Sequence, residues 1–203
     1  MTIGAVEVKK LRDSTGAGMM DAKKALQESG GDFDKAVKYL REKGLSDSKK
    51  REGKDANEGV IGHYIHKQQG RAVSGVLVEL ACETDFVAKS DDFVSVAQQI
   101  AMHIAAMKPI ALNLDEITDT TIENEKEIYK NQANSEGKDP KIIDKYVEGK
   151  LSAFYKENIL LEQVFCNPEF YEGTVGNMIE EMSGRLGEKI YIKKFSRVEI
   201  GKK

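Results

Sequence analysis

Residues 46–58 (SDSKKREGKDANE) contain no large apolar side chain, and this gap constrains the fold more than any other feature. A stretch with nothing to bury adds little to a core, so the chain reads as three helices before it and a second, larger unit after it. The segment reads as a solvated tether, helical at most at its start. Its charge is explained more simply by solubility than by binding. The whole chain, at 203 residues, is long enough for one or two domains with a real core.

Before the tether, residues 3–45 read as three short helices. The first carries Val8 and Leu11 and stops near Ser14-Thr15-Gly16. The second has an apolar line of Met19, Ala22, Ala25 and Leu26 and ends at Gly30-Gly31. In the third, Asp32 is the expected N-cap, and Phe33, Ala36, Val37 and Leu40 share one helix face. Gly44 followed by Leu45 reads as a left-handed C-cap.

Beyond the tether, 60–66 and 71–82 are rich in Val, Ile and Tyr and read as a β-hairpin around Lys67-Gln68-Gln69-Gly70. Val76, Val78, Leu80 and Cys82 alternate onto one face. A helix follows from Ser90 to Lys108-Pro109, with Val94, Ala97, Ala101 and Ile104 in line. Thr120 and Glu123 have capping-box spacing, and Asp139-Pro140 starts a second helix with Ile143, Val147, Leu151 and Phe154 as its stripe. That narrow stripe between charged faces predicts a helical hairpin over about 120–157. A last helix carries Val175, Met178, Ile179 and Met182, and a strand follows over about 189–200. The expected class is α+β: three helices, then a small antiparallel sheet covered by helices, with the hairpin projecting.

Chemistry is sparse. The net charge is −3, from 31 basic and 34 acidic residues dispersed along the chain, which argues against a dedicated nucleic-acid binder. No apolar run approaches a membrane span, and the N-terminus lacks a signal peptide's layout, so a cytoplasmic protein is expected. No phosphate-cradling glycine motif and no His-Glu-x-x-His run is present. His63 and His66, three apart on a strand, fall on opposite faces and cannot share a metal. His103 reads as a packed, hydrogen-bonded histidine. Cys82 sits on the apolar side of its strand, with Glu83 and Asp85 close by to raise its pKa, so a nucleophile is disfavoured. The two cysteines, Cys82 and Cys166, are expected as free thiols. Neither cofactor, metal nor enzymatic activity is expected.

Two segments stand out. In Thr15-Gly16-Ala17-Gly18-Met19-Met20, Met19 fits the core line while Met20 is out of phase and projects beside a tight glycine turn. An exposed methionine makes an adaptable contact, though a stray surface residue is the plainer account. The second is Glu83-Thr84-Asp85-Phe86-Val87-Ala88-Lys89, at a strand's end where scaffolds present functional groups. There Asp85 could merely cap a turn and Phe86 could fold back into the core.

LRDSTGAGMMDAKKAL at 11–26 and TDFVAKSDDF at 84–93 resemble the two signature segments of the elongation factor Ts family. Similarity continues through YIHKQQGRAVSGVLVEL (64–80), IAMHIAAMKP (100–109), EGKLSAFYKE (148–157) and TVGNM (174–178). The resemblance implies a ubiquitin-associated-like domain at 1–45 that docks on a GTPase, a linker at 46–58, and an α+β core at 59–203 that dimerises and carries the hairpin. It implies guanine-nucleotide exchange on elongation factor Tu, in its GDP-bound and nucleotide-free forms, during polypeptide elongation. Arg12, Met19, Met20 and His66 would contact the partner, while Thr84, Asp85, Phe86 and Val87 would enter near its magnesium site with Phe86 as a wedge. Longer members carry the core motif twice. This chain carries it once, and short members are implied to act as homodimers in a 2:2 complex, without nucleic acid or membrane. A non-exchange adaptor, with a helix-bundle recognition domain on a dimerising core, is the alternative.

Overall fold

The apolar spacing of the first 45 residues produces α1 (Ala5–Thr15), α2 (Met19–Glu28) and α3 (Phe33–Lys49). The computed structural model describes residues 3–49, 51 and 53–201. Val8, Leu11, Ala22, Ala25, Leu26 and Ala36 form the buried centre of this bundle, with Phe33, Val37 and Leu40 packed at its edge. Gly16, at φ 68°, ends α1 in the left-handed conformation that glycine adopts without strain. Asp32 opens α3 by accepting the Lys35 amide at 3.1 Å, as its N-cap position predicts.

Two expectations in this region fail. Gly44 does not end α3, which continues to Lys49. It lies at a crossing with the last helix, where a β-carbon on Gly184 would overlap the Gly44 backbone. Two glycines allow an approach closer than any side chains would permit. Met19 is 46% exposed and lies outside the core line. As the first residue of α2, its side chain leans toward the helix N-terminus, beyond the packed turns.

The tether is helical at its start, as read, because 46–49 belong to α3, but the rest differs: Ala56 is buried, and Arg51 and Lys54 pair with Glu83 at 3.5 and 3.4 Å. Charge in this stretch therefore fastens the chain as well as solvating it. Lys50, Glu52 and the side chains of 45–49 lie outside the described residues.

Strands β1 (Glu58–Gln68) and β2 (Arg71–Cys82) form the hairpin, with β3 (Tyr191–Glu199) beside β2 in a three-stranded antiparallel sheet. The turn is tighter than expected, only Gln69-Gly70, both at positive φ (51° and 79°). That geometry matches the twist of the flanking strands. Val76, Val78, Leu80 and Cys82 are all buried, as alternation predicts. A one-turn helix α4 (Asp85–Ala88) follows, then α5 (Asp91–Met107). In α5 the buried line is Phe93, Ala97, Ile100, Ala101 and Ile104, while Val94 is only half-buried.

The hairpin helices are α6 (Asp119–Ser135) and α7 (Ile143–Asn158), which pack against each other. The cap of α6 is Thr118, whose hydroxyl accepts the Thr121 amide at 3.2 Å, and not Thr120. A capping oxygen must sit on a residue whose own backbone is still extended; Thr118 has ψ 145°, and Thr120 is already helical. Asp139 caps a single 3-10 turn, Pro140–Ile142, that leads into α7. The final helix, α8 (Val175–Leu186), buries Val175, Met178, Ile179 and Met182 as its spacing predicts. The chain therefore has the α+β architecture read from its sequence.

Two compact units emerge from the packing. One comprises 1–60, 80–94 and 177–193; the other comprises 61–79, 95–176 and 194–203. The segments 84–87 and 11–20 both belong to the first unit, and His66 belongs to the second.

Candidate functional site

At the end of β2, the backbone turns into α4 because Thr84 is extended and its hydroxyl accepts the Val87 amide at 3.4 Å. The segment is thus a capped helical turn, where the sequence had offered an open connection. Phe86 does not fold back: it is 84% exposed. Val87 and Ala88 are buried and root the turn. Asp85 is not the cap. Its carboxylate takes the Lys89 ammonium at 2.6 Å, four residues on, and that hydrogen bond holds the Asp85 pKa below the usual carboxylate range and raises that of Lys89.

Phe86 therefore stands as a large apolar ring in water on a turn rooted by Val87 and Ala88. The base is secured from a distant part of the chain. Glu188 Oε2 accepts the Glu83 and Thr84 amides, each at 3.1 Å, and Oε1 accepts the Thr84 hydroxyl at 2.6 Å. Glu83 in turn accepts the Lys189 amide at 2.6 Å, which together with Lys54 and Arg51 depresses its pKa. Neither Glu188 nor Lys189 was legible as a site residue, since the sequence separation exceeds a hundred positions and Gly-Glu-Lys carries no motif.

The second predicted surface is at the α1–α2 end of the bundle. Thr15 fastens the glycine turn, donating its hydroxyl to the Leu11 carbonyl at 2.7 Å and accepting the Ala17 amide at 3.4 Å. Beyond it Met20 is 73% exposed, Met19 is also exposed, and Arg12 lies on the exposed side of α1. Within this unit, Arg185 of α8 connects the two predicted segments. Its stem lies over Gly16, where a β-carbon would crowd it, and its guanidinium reaches Asp92 at 3.5 Å, just after the Phe86 turn. Arg41 also pairs with Glu181, and Lys43 with Asp21. In the other unit His66 is exposed on β1, with Nδ1 3.4 Å from the Tyr64 hydroxyl.

Cys82 and His103 are held inert. The Cys82 thiol donates to the Thr84 carbonyl at 3.2 Å, and burial, then the charges of Glu188 and Glu58, push it up to about 11. The responsible carboxylates are thus Glu188 and Glu58; Glu83 and Asp85, expected from proximity in sequence, are not among them. Cys166 is exposed. His103 is fully buried, stacked on Phe165 at 5.2 Å. Its Nδ1 accepts the Cys166 amide at 3.1 Å and its Nε2 faces Gln163 Oε1 at 2.9 Å, so the ring is neutral with the proton on Nε2. Burial lowers its pKa. Among the described residues no group of three or more His, Cys, Asp or Glu could hold a metal, and no helix is long and apolar enough to cross a membrane.

What the geometry offers is a fixed aromatic projection and an exposed methionine pair, both on one compact unit. Comparison with known proteins gives the family. A family model described as Elongation factor TS matches residues 30–202. The Elongation factor Ts of Desulforamulus reducens is 51% identical over 199 residues, covering 98% of this chain and 89% of that protein. That of Fervidobacterium nodosum is 47% identical, covering 99% of this chain and 100% of its own length. That of Coprothermobacter proteolyticus is 48% identical over 99% and 100%. The chain belongs to the elongation factor Ts family, the translation elongation factors of protein biosynthesis.

Proposed function

We propose that the chain is a guanine-nucleotide exchange factor for elongation factor Tu that works without covalent chemistry of its own. It engages the GDP complex, disturbs the partner's magnesium and phosphate site, and favours the nucleotide-free form so that GTP can rebind. Arg12, Met19 and Met20, on the docking helices of 1–45, anchor the partner, and His66 adds a contact away from the nucleotide. Thr84, Asp85, Phe86 and Val87 form the intruding element, with Phe86 as the wedge. The factor acts in the cytoplasm as a homodimer in a 2:2 complex, without cofactor, nucleic acid or membrane.

The single observation that supports this most is a phenylalanine left 84% exposed on a turn whose other apolar residues are buried. The energetics set its limits. Speeding release ten-thousandfold means lowering its barrier by about 5.5 kcal/mol. Burying one phenylalanine yields about 1.5–3 kcal/mol. The remainder comes from displacing the magnesium that screens the phosphate charge and from an interface that holds the wedge in place.

Release of a fluorescent GDP from elongation factor Tu tests the reading. Phe86→Ala should slow maximal release at least tenfold, the worth of about 1.4 kcal/mol, while complex formation persists. Near-wild-type release in that variant would remove the wedge. Binding with no acceleration even by the wild-type chain would favour the adaptor.

A further inference from the structure

Two acidic residues on distant segments each hold backbone amides of the other's segment beside the Phe86 turn. Glu188 holds the amides of Glu83 and Thr84, and Glu83 holds the amide of Lys189. The Glu188 carbonyl is fastened by the Ser183 hydroxyl in the last turn of α8. Lys54 and Arg51 beside Glu83 offset the repulsion between the two carboxylates.

The Thr84 hydroxyl is the point where this clasp meets the turn. A hydroxyl has one proton and two lone pairs. Here the proton goes to Glu188 Oε1 at 2.6 Å, which leaves a lone pair facing the Val87 amide and caps α4. The helix spans only Asp85–Ala88, far too short to persist by propagation. Its order depends on its two ends: Val87 and Ala88 buried at one, the Glu188 clasp at the other. Without Glu188 the Thr84 hydroxyl and the Glu83 and Thr84 amides lose their shared acceptor, so the capping oxygen is no longer held in place over the Val87 amide. Phe86 would then have to be ordered anew at every encounter with a partner.

We propose that Glu188 is the positioning residue of the exchange loop: by clasping Glu83 and Thr84 it fixes the turn that presents Phe86, and so sets the maximal rate of GDP release. This rests on the exchange reading above. Glu188 acts through Thr84 and not as part of the docking surface, so its loss should alter turnover and leave affinity alone.

The test uses the full chain with elongation factor Tu carrying fluorescent GDP, and reads both the maximal release rate and the half-saturating concentration. Glu188→Ala should lower the maximal rate about tenfold, the scale of a lost charge-assisted hydrogen bond, with half-saturation within about twofold of wild type. Glu188→Gln should fall between the two, because its amide oxygen keeps an acceptor for the backbone while the charge is gone. Hydrogen exchange at the Val87 amide should quicken in Glu188→Ala while the β2 amides keep their protection. A wild-type maximal rate in Glu188→Ala overturns the proposal, as does a raised half-saturation at unchanged maximal rate. If Glu188→Ala does not fold, Glu188→Gln decides alone, and a wild-type rate with unchanged Val87 exchange overturns it. Phe86→Ala measured alongside separates the two levels. Slow release there beside fast release in Glu188→Ala removes only the role of Glu188. Fast release in Phe86→Ala removes the exchange loop, and with it the reason for the clasp.

Discussion

Phe86 and Phe93 lie seven positions apart, on either side of the junction between α4 and α5, and meet opposite fates. Phe93 is completely buried, whereas Phe86 is almost completely exposed. Chemistry is identical, so the difference is one of position alone. Phe93 falls on the inner line of a 17-residue helix; Phe86 sits on a one-turn helix whose capacity for burial is used by Val87 and Ala88. The methionines repeat the contrast, Met182 buried in α8 and Met20 exposed at the start of α2. A buried apolar residue contributes to stability, while an exposed one contributes nothing until a partner covers it.

That contrast can be tested by substitution. The largest effect is expected from Phe93→Ala, which should cost about 3–5 kcal/mol in denaturant unfolding through lost burial and the cavity left behind. A loss below about 1 kcal/mol would mean that the site collapses around the gap. Met182→Ala should cost about 2–4 kcal/mol by the same measurement.

The buried histidine gives an intermediate effect with a defined sign. His103 is neutral in the folded chain with its pKa lowered, whereas unfolded histidine titrates near about 6.5. Below that value the unfolded chain binds a proton that the folded chain refuses, so stability falls with falling pH until the folded pKa is reached. A His103→Gln variant should lose this component of the pH dependence below about pH 6.5. An unchanged slope in that variant would place the proton uptake elsewhere.

The smallest stability changes belong to the exposed partners. Phe86→Ala and Met20→Ala should each stay within about 0.5 kcal/mol of wild type in unfolding. Met20→Ala should nevertheless weaken association with elongation factor Tu more than it alters maximal release, measured by titration in the same GDP assay. Unfolding costs comparable to those of Phe93 and Met182 would erase the distinction between the two classes of residue.

Much of this was readable in advance. Periodicity placed α1, α2, α5, α7 and α8, because each buries an apolar face whose spacing is a local property. Alternation put Val76, Val78, Leu80 and Cys82 inward for the same reason. Errors clustered at ends and crossings. Gly44 looks like a helix terminator by composition, yet what it answers to is Gly184 on α8. Thr120 has the spacing of a cap, but the backbone extends at Thr118.

The same division runs through the candidate site. From the sequence alone came the turn's location, the outward Met20, the inert Cys82 and the family to which the motifs belong. These depend on local pattern and on residues adjacent in the chain. Only the tertiary structure decided that Phe86 faces water, that Met19 joins Met20 at the surface, and that Glu188 and Arg185 support the two predicted segments. Hydrogen bonds and close approaches between residues a hundred positions apart leave no periodic trace, since any carboxylate or guanidinium of the right reach could have made them.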